Sequence, residues 1–140
     1  MKLRKATFND WKVLLDWRND PISRINSFDQ DPIDVKTHKD WLTKSLTIRS
    51  RKIYILEDSI NGAIGTIRCD TNSDNTNTLS WNINPKERGK GYGTLILKMF
   101  LEGATGEFLA QIKDSNTASI KLANKNGFTK HSHQTYYLKL

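Results

Sequence analysis

At 140 residues the chain is long enough for one hydrophobic core, and 36% hydrophobic with 26% charged residues places it among folded rather than disordered chains. Its formal charge of +7 is uneven: Met1–Asp74 holds 13 basic and 11 acidic residues, Asn75–Leu140 holds 9 and 4, so the second half favours an anionic partner. No apolar run nears the roughly 20 residues of a membrane span, no signal-type apolar core follows Met1, and Cys69 has no partner for an internal disulfide; one cytoplasmic domain over residues 1–140, with no membrane segment, is expected.

Leu3 to Phe8 reads as a first strand. Asn9 or Asp10 can cap a helix whose apolar positions are Trp11, Val13, Leu14, Leu15 and Trp17, and Pro21 should stop it. His38, Trp41, Leu42 and Leu46 recur at helical spacing and predict a helix over Val35 to Ile48. Lys52 to Glu57 reads as a strand, Asn61-Gly62 as a tight turn, and Ala63 to Cys69 as the returning strand; Ile64 and Ile67 do not alternate, which points to a bulge. A polar loop over Asp70 to Asn77 leads to a strand from Thr78 to Asn84, ended by Pro85. A helix follows from Thr94 to Leu101, then a strand from Glu107 to Lys113. Ser115 can cap a helix over Asn116 to Asn126 with Gly127 as its left-handed end, and Phe128–Lys130 and Thr135–Lys139 close the chain as strands. The order is β-α-α-β-β-β-α-β-α-β-β, a mixed sheet with helices on its faces.

The most informative passage is Arg88-Gly89-Lys90-Gly91-Tyr92-Gly93, set between a strand and a helix. Glycines expose backbone amides just ahead of a helix N-terminus, whose positive end attracts phosphate oxygens, and Arg88 and Lys90 add charge at the rim. A Cβ at Gly91 or Gly93 would impede a pyrophosphate. A P-loop is excluded because Gly-Lys is not followed by Ser or Thr in the required pattern, and a dinucleotide fingerprint is excluded by the Gly89-x-Gly91-x-Gly93 spacing. A simple flexible basic loop would carry similar residues.

The remaining pattern, Arg-x-x-Gly-x-Gly after a strand, resembles the pyrophosphate loop of the GNAT superfamily of N-acetyltransferases. Asn116-x-x-Ser119-x-x-Leu122, leading to Asn126-Gly127-Phe128, is similar to that family's next conserved helix. The resemblance implies an α/β (α+β) fold, with a mixed, mostly antiparallel sheet of about six to seven strands and about four helices. It implies acetyl-CoA as cosubstrate and no metal. The cofactor would be held by Trp81, Asn82 and Ile83 on the strand, by Arg88, Gly89, Lys90, Gly91, Tyr92, Gly93 and Thr94 in the loop, and by Asn116. The Ile83 amide would stabilise the developing oxyanion. The tyrosine that many members carry as the acid is replaced here by Ala123; the similarity of Asn116-x-x-Ser119 to the pattern of ribosomal-protein N-terminal acetyltransferases implies Ser119 as the acid instead, and Thr78 stands where a carboxylate base is often found.

The stretch Trp17-Arg18-Asn19-Asp20-Pro21 with Arg24, and the Lys36-Thr37-His38 helix start, are similar to GNAT enzymes that acetylate nucleotide-linked amino sugars; ribosomal-protein N-terminal acetyltransferases share part of it. This resemblance implies a small-molecule amine acceptor, first a nucleotide-linked amino sugar and second a protein N-terminus, with Arg18, Asn19, Arg24 and His38 facing it. His131 and His133 lack the acidic or Cys partner that a metal site needs. A non-catalytic nucleic-acid-binding or regulatory module is the reading of another class; Tyr92, Tyr136 and Tyr137 are too scattered for a stacking platform, so no nucleic-acid partner is expected.

Overall fold

The computed structural model describes all residues from Met1 to Leu140. Seven strands form one sheet in the order β1-β2-β3-β4-β5-β7-β6. They are β1 (Lys2–Lys5), β2 (Arg51–Asp58), β3 (Gly62–Thr71), β4 (Asn77–Ile83), β5 (Glu107–Gln111), β6 (Thr129–Ser132) and β7 (Thr135–Lys139). Every neighbouring pair is antiparallel except β4 and β5. The helices are α1 (Trp11–Asn19), α2 (Pro21–Ile25), α3 (Val35–Ser45), α4 (Tyr92–Leu101) and α5 (Thr117–Lys125).

Helices cover both faces of the sheet, which explains why β2 reads as the unbroken apolar run Ile53-Tyr54-Ile55-Leu56. Ile53 and Ile55 pack with Leu14, Trp17 and Leu42 from α1 and α3. Leu56 faces the opposite way, into a larger core with Ile64, Ile67, Ile96, Leu97, Phe108 and Phe128. The bulge expected in β3 is present. Leu56 pairs with Gly65 and Glu57 with Ala63, leaving Ile64 as the extra residue, so both Ile64 and Ile67 reach the same core.

Several local expectations are corrected. Pro21 does not merely stop a helix: α1 ends at Asn19, the chain turns at Asp20, and Pro21 occupies the first turn of a separate helix, where its missing N–H costs nothing. The Asp20 carboxylate caps that helix by accepting from the Ser23 amide. Asp10 stands at the start of α1 but its carboxylate closes the preceding 3₁₀ turn, accepting from the Thr7 amide at 2.8 Å and from Arg4 at 2.9 and 2.8 Å. Burial opposes this charge, yet those bonds hold the Asp10 carboxyl below the usual carboxylate range. Asn116, not Ser115, caps α5, accepting from the Ser119 amide at 3.2 Å. Gly127 at φ 90° is the left-handed helix end that was expected.

Candidate active site

The two parallel strands β4 and β5 are in register only at Asn77–Phe108 and Thr78–Leu109. Beyond Thr78 they part, and β4 runs on to Ile83 with no strand on that side. Asn84 donates to the Ile64 carbonyl across the β3 edge. Backbone groups alternate sides along a strand, so the even residues Ser80 and Asn82 turn theirs to β3, and those of Trp81 and Ile83 point into the gap. Side chains alternate too. Trp81 and Ile83 pack toward the α4 and α5 side, while the Asn82 side chain meets α1 and α2.

At the mouth of the gap α4 begins. Gly89 and Gly91 adopt φ of 77° and 83°, a conformation that favours glycine, and a Cβ added at either would meet nothing within 4 Å. No side chain caps α4, so the first-turn amides stay available for an anion. The space beside both glycines and these free donors fit a diphosphate. Gly93 serves another purpose. A Cβ there would lie 2.6 Å from Leu122 Cδ2, so this glycine lets α5 pack close against α4.

Gap and helix start open into one cleft of about 1110 Å³, lined from β4 by Ser80 to Ile83, from the loop by Arg88, Gly89 and Gly91 to Thr94, and from α5 by Asn116, Ser119, Leu122 and two further lysines, Lys121 and Lys125. Trp81 Nε1 donates to Ser119 Oγ at 3.2 Å, which occupies a lone pair and leaves the serine proton free to be given elsewhere. Asn116 lines the cleft with its side-chain oxygen engaged in its capping bond.

Arg88 is placed differently from the sequence expectation. Its guanidinium donates to Asp20 Oδ2 and to Ser23 Oγ, both at 2.8 Å, so the charge is directed to the α1–α2 corner rather than held open at the rim. Ser23 Oγ in turn donates to Asn82 Oδ1, and Asn82 Nδ2 donates to the Trp17 carbonyl. Asn82 is therefore a strut between β4 and the first helices. Lys90 pairs with Glu87 at 2.9 Å.

The far end of the cleft is formed by α1, α2, the connection to α3, and β3. Of the four residues expected there, Arg18 and His38 line it and Asn19 and Arg24 do not. Asn19 exchanges two bonds with the backbone of Ile33, and Arg24 donates to the Gln30 carbonyl, so both pin the 26–34 connection instead. His38 is buried, stacked on Trp41, with Nε2 2.9 Å from the Trp11 carbonyl. Burial lowers its pKa against that hydrogen bond, which makes it a packed neutral imidazole. Thr66, Arg68, Trp41 and Gln111 also line the cleft, and the sequence marks none of them as a site residue. Their strand or helix periodicity is visible, but their convergence depends on strand register. Only two lining residues are acidic, Asp29 and Glu87.

Compared with known families, residues 1–129 match the model of the acetyltransferase (GNAT) domain. The chain belongs to the GNAT family. This GNAT domain is also similar to solved structures. The spermidine N-acetyltransferase of Vibrio cholerae, in complex with CoA and spermine, superposes with a TM-score of 0.89 at 15% identity, covering 99% of this chain and 94% of that one. The ribosomal-protein-alanine N-acetyltransferase of Brucella melitensis gives 0.83 at 20% identity over 100% of both chains. A domain from Methanocaldococcus jannaschii gives 0.80 at 24% identity, covering 99% and 97%. At these identities the likeness establishes the fold. No curated protein sequence matches this one. The sheet of seven strands with five helices is the GNAT fold, one helix richer than expected because of α2. The protein is thus an N-acetyltransferase that uses acetyl-CoA. No group of three His, Cys, Asp or Glu side chains converges to hold a metal, and no helix is long and apolar enough to cross a membrane.

Proposed function

We propose that this GNAT enzyme transfers the acetyl group of acetyl-CoA to the primary amine of a small molecule in the cleft between β4 and α1–α2. The observation that carries the reading is the unpaired edge of β4 beside the uncapped start of α4. Backbone amides from Gly89 to Thr94 bind the diphosphate, with Lys121 and Lys125 adding positive charge nearby. The Trp81 and Ile83 backbone groups hold the pantetheine arm as an added strand would be held. Acetyl-CoA supplies an activated thioester, and attack by the neutral amine displaces the thiolate.

The roles of the chain's own groups follow from their positions. The Ile83 N–H points into the gap and donates to the developing oxyanion, a contribution on the order of 10²–10³ in rate for such a donor. Ser119, oriented by Trp81, gives its proton to the leaving sulfur and regains one from solvent. Of the two carboxylates that line the cleft, Glu87 is paired with Lys90 and Asp29 accepts from the Asp31 amide, so water in the cleft takes the amine proton.

For the acceptor, we propose a nucleotide-linked amino sugar as the first compound to assay and a protein N-terminus as the second. Arg18 supports the first, since it lines the cleft from the stretch that carries the resemblance. The Vibrio relative was solved with spermine, but a cleft with Arg18 and Arg68 and so few carboxylates is a poor host for a polycation. The test is thiol release from acetyl-CoA with amino sugars, nucleotide-linked amino sugars, polyamines and N-terminal peptides. A rate above background with an amine of one class supports transfer; coenzyme A binding with no turnover of any amine would refute it.

A further inference from the structure

In the whole protein, two buried side-chain nitrogens lack any hydrogen-bond partner: Arg18 Nη1 and Arg68 Nε. Both residues line the same end of the same cleft, one from α1 and the other from β3. We infer that Arg18 and Arg68 form a seat for an anionic group, phosphate or carboxylate, on the acceptor, set apart from its amine. The inference rests on the acetyl-transfer reading and specifies the chemistry of the substrate.

The charge balance around the seat supports it. Asp70 is the one carboxylate in the cluster, and its Oδ1 accepts from Arg51 Nε at 2.7 Å. Arg68 Nε lies 3.1 Å from the other oxygen, Oδ2, but without the alignment of a hydrogen bond. Arg51 and Arg68 therefore share a single aspartate, and Arg18 has no carboxylate partner. Arg51 and Arg68 both stack on the Trp41 ring, at 5.8 and 5.7 Å. Arg18 Nη2 donates to the Asp29 carbonyl at 2.9 Å, which fixes the guanidinium while Nη1 stays free. Asp29 is exposed, and its carboxylate accepts from the Asp31 amide. Burying cations without a full set of acceptors is costly, and an incoming anion recovers that cost.

Position supports it as well. Arg68 pairs with Ser80 across the β3–β4 ladder, three residues before Ile83. That separation is about 10 Å along a strand, before the reach of the arginine side chain is subtracted. An amine at the Ile83 amide and an anion between the arginines would thus fit one small molecule. The polar handle selects the substrate, whereas the cofactor's own phosphates lie at α4.

The experiment uses the full chain with saturating acetyl-CoA and matched amine acceptors: glucosamine, glucosamine 1-phosphate and a nucleotide-linked amino sugar on one arm; a dipeptide, its C-terminal amide and spermidine on the other. We expect an anionic acceptor to exceed its neutral counterpart and spermidine at least tenfold in kcat/KM. The arm that shows the gain distinguishes phosphate from carboxylate. Arg18→Gln and Arg68→Gln should each raise the KM of that acceptor tenfold or more and leave the acetyl-CoA KM within twofold, with Arg68→Lys restoring part of the loss. A structural ion-pair role would instead lower Tm and move both KM values. Equal use of neutral and anionic amines overturns the inference while leaving acetyl transfer intact. Should no acceptor turn over, tryptophan fluorescence of the coenzyme A complex titrated with glucosamine 1-phosphate decides: saturation lost in Arg68→Gln supports the seat, and a response equal to that of glucosamine overturns it.

Discussion

Replacing Arg88 by alanine separates two roles for this side chain. If its guanidinium serves the diphosphate, the variant should lose affinity for acetyl-CoA. If it serves Asp20 and Ser23, as its two 2.8 Å bonds indicate, the variant should lose stability first. The arginine and aspartate side chains are 27% and 17% exposed, so the pair is partly desolvated and keeps some solvent screening. Hydrogen bonds to charged groups are worth about 1.5–3 kcal/mol each before such screening. We therefore expect Arg88→Ala to cost about 2 kcal/mol. Asp20→Ala also removes the α2 cap, worth about 1 kcal/mol, and should cost about 3 kcal/mol. The double variant should cost about 3–4 kcal/mol, giving a coupling of about 1–2 kcal/mol. For a chain of this length Arg88→Ala should lower Tm by about 6–8 °C. Urea titration of the four proteins with m unchanged measures the cycle, and steady-state kinetics measures the cofactor. The acetyl-CoA KM should change less than about threefold. A rise above tenfold with no coupling to Asp20 would refute the reasoning and return the guanidinium to the phosphates.

Three other expectations follow from single contacts. Gly93→Ala puts a methyl 2.6 Å from Leu122 Cδ2 and should destabilise by about 1–3 kcal/mol, and Leu122→Ala in the same chain should relieve part of it; additive losses in thermal melts would show that the two helices do not meet there. Ser119→Ala keeps the Asn116 cap, which uses the Ser119 backbone amide, but removes the proposed proton donor; kcat should fall about 10²-fold with acetyl-CoA KM little changed, and an unaltered kcat at all pH values would exclude the role. The Asp10 carboxyl is held below its usual range, so its stabilising contribution is complete above about pH 4 and is lost as pH falls through the folded value. Asp10→Asn should thus flatten the acid limb of the stability–pH curve measured by urea midpoints, and an unchanged limb would locate acid sensitivity elsewhere.

Much of the architecture was legible because it depends on local rules. Helical spacing placed α3, the Gly127 stop ended α5, and broken alternation at Ile64 and Ile67 marked the bulge. The helix α2 was missed because Pro21 is read as a stop when the pattern before it is helical, while the Asp20 turn makes it a start. Among cleft-lining residues, Gly89 and Gly91 were visible because positive φ favours that residue type. Gly93 shares their spacing but answers to Leu122, a contact between helices that spacing alone does not contain. Asn19 and Arg24 look like binding groups in one dimension, yet backbone acceptors in the 26–34 connection claim them.

By itself the sequence determined the succession of strands, the glycine-rich turn before α4 and the family, since each rests on residues close along the chain. Tertiary structure decided which charges are free. Arg88, with its motif position, is consumed by Asp20 from 68 residues away, whereas Arg18, on another element, keeps Nη1 without a hydrogen-bond partner, and Arg68 keeps Nε outside any hydrogen bond although it lies beside Asp70. Hydrogen bonding is short-ranged and exclusive, so a side chain's availability is set by whatever the fold brings within about 3 Å of it.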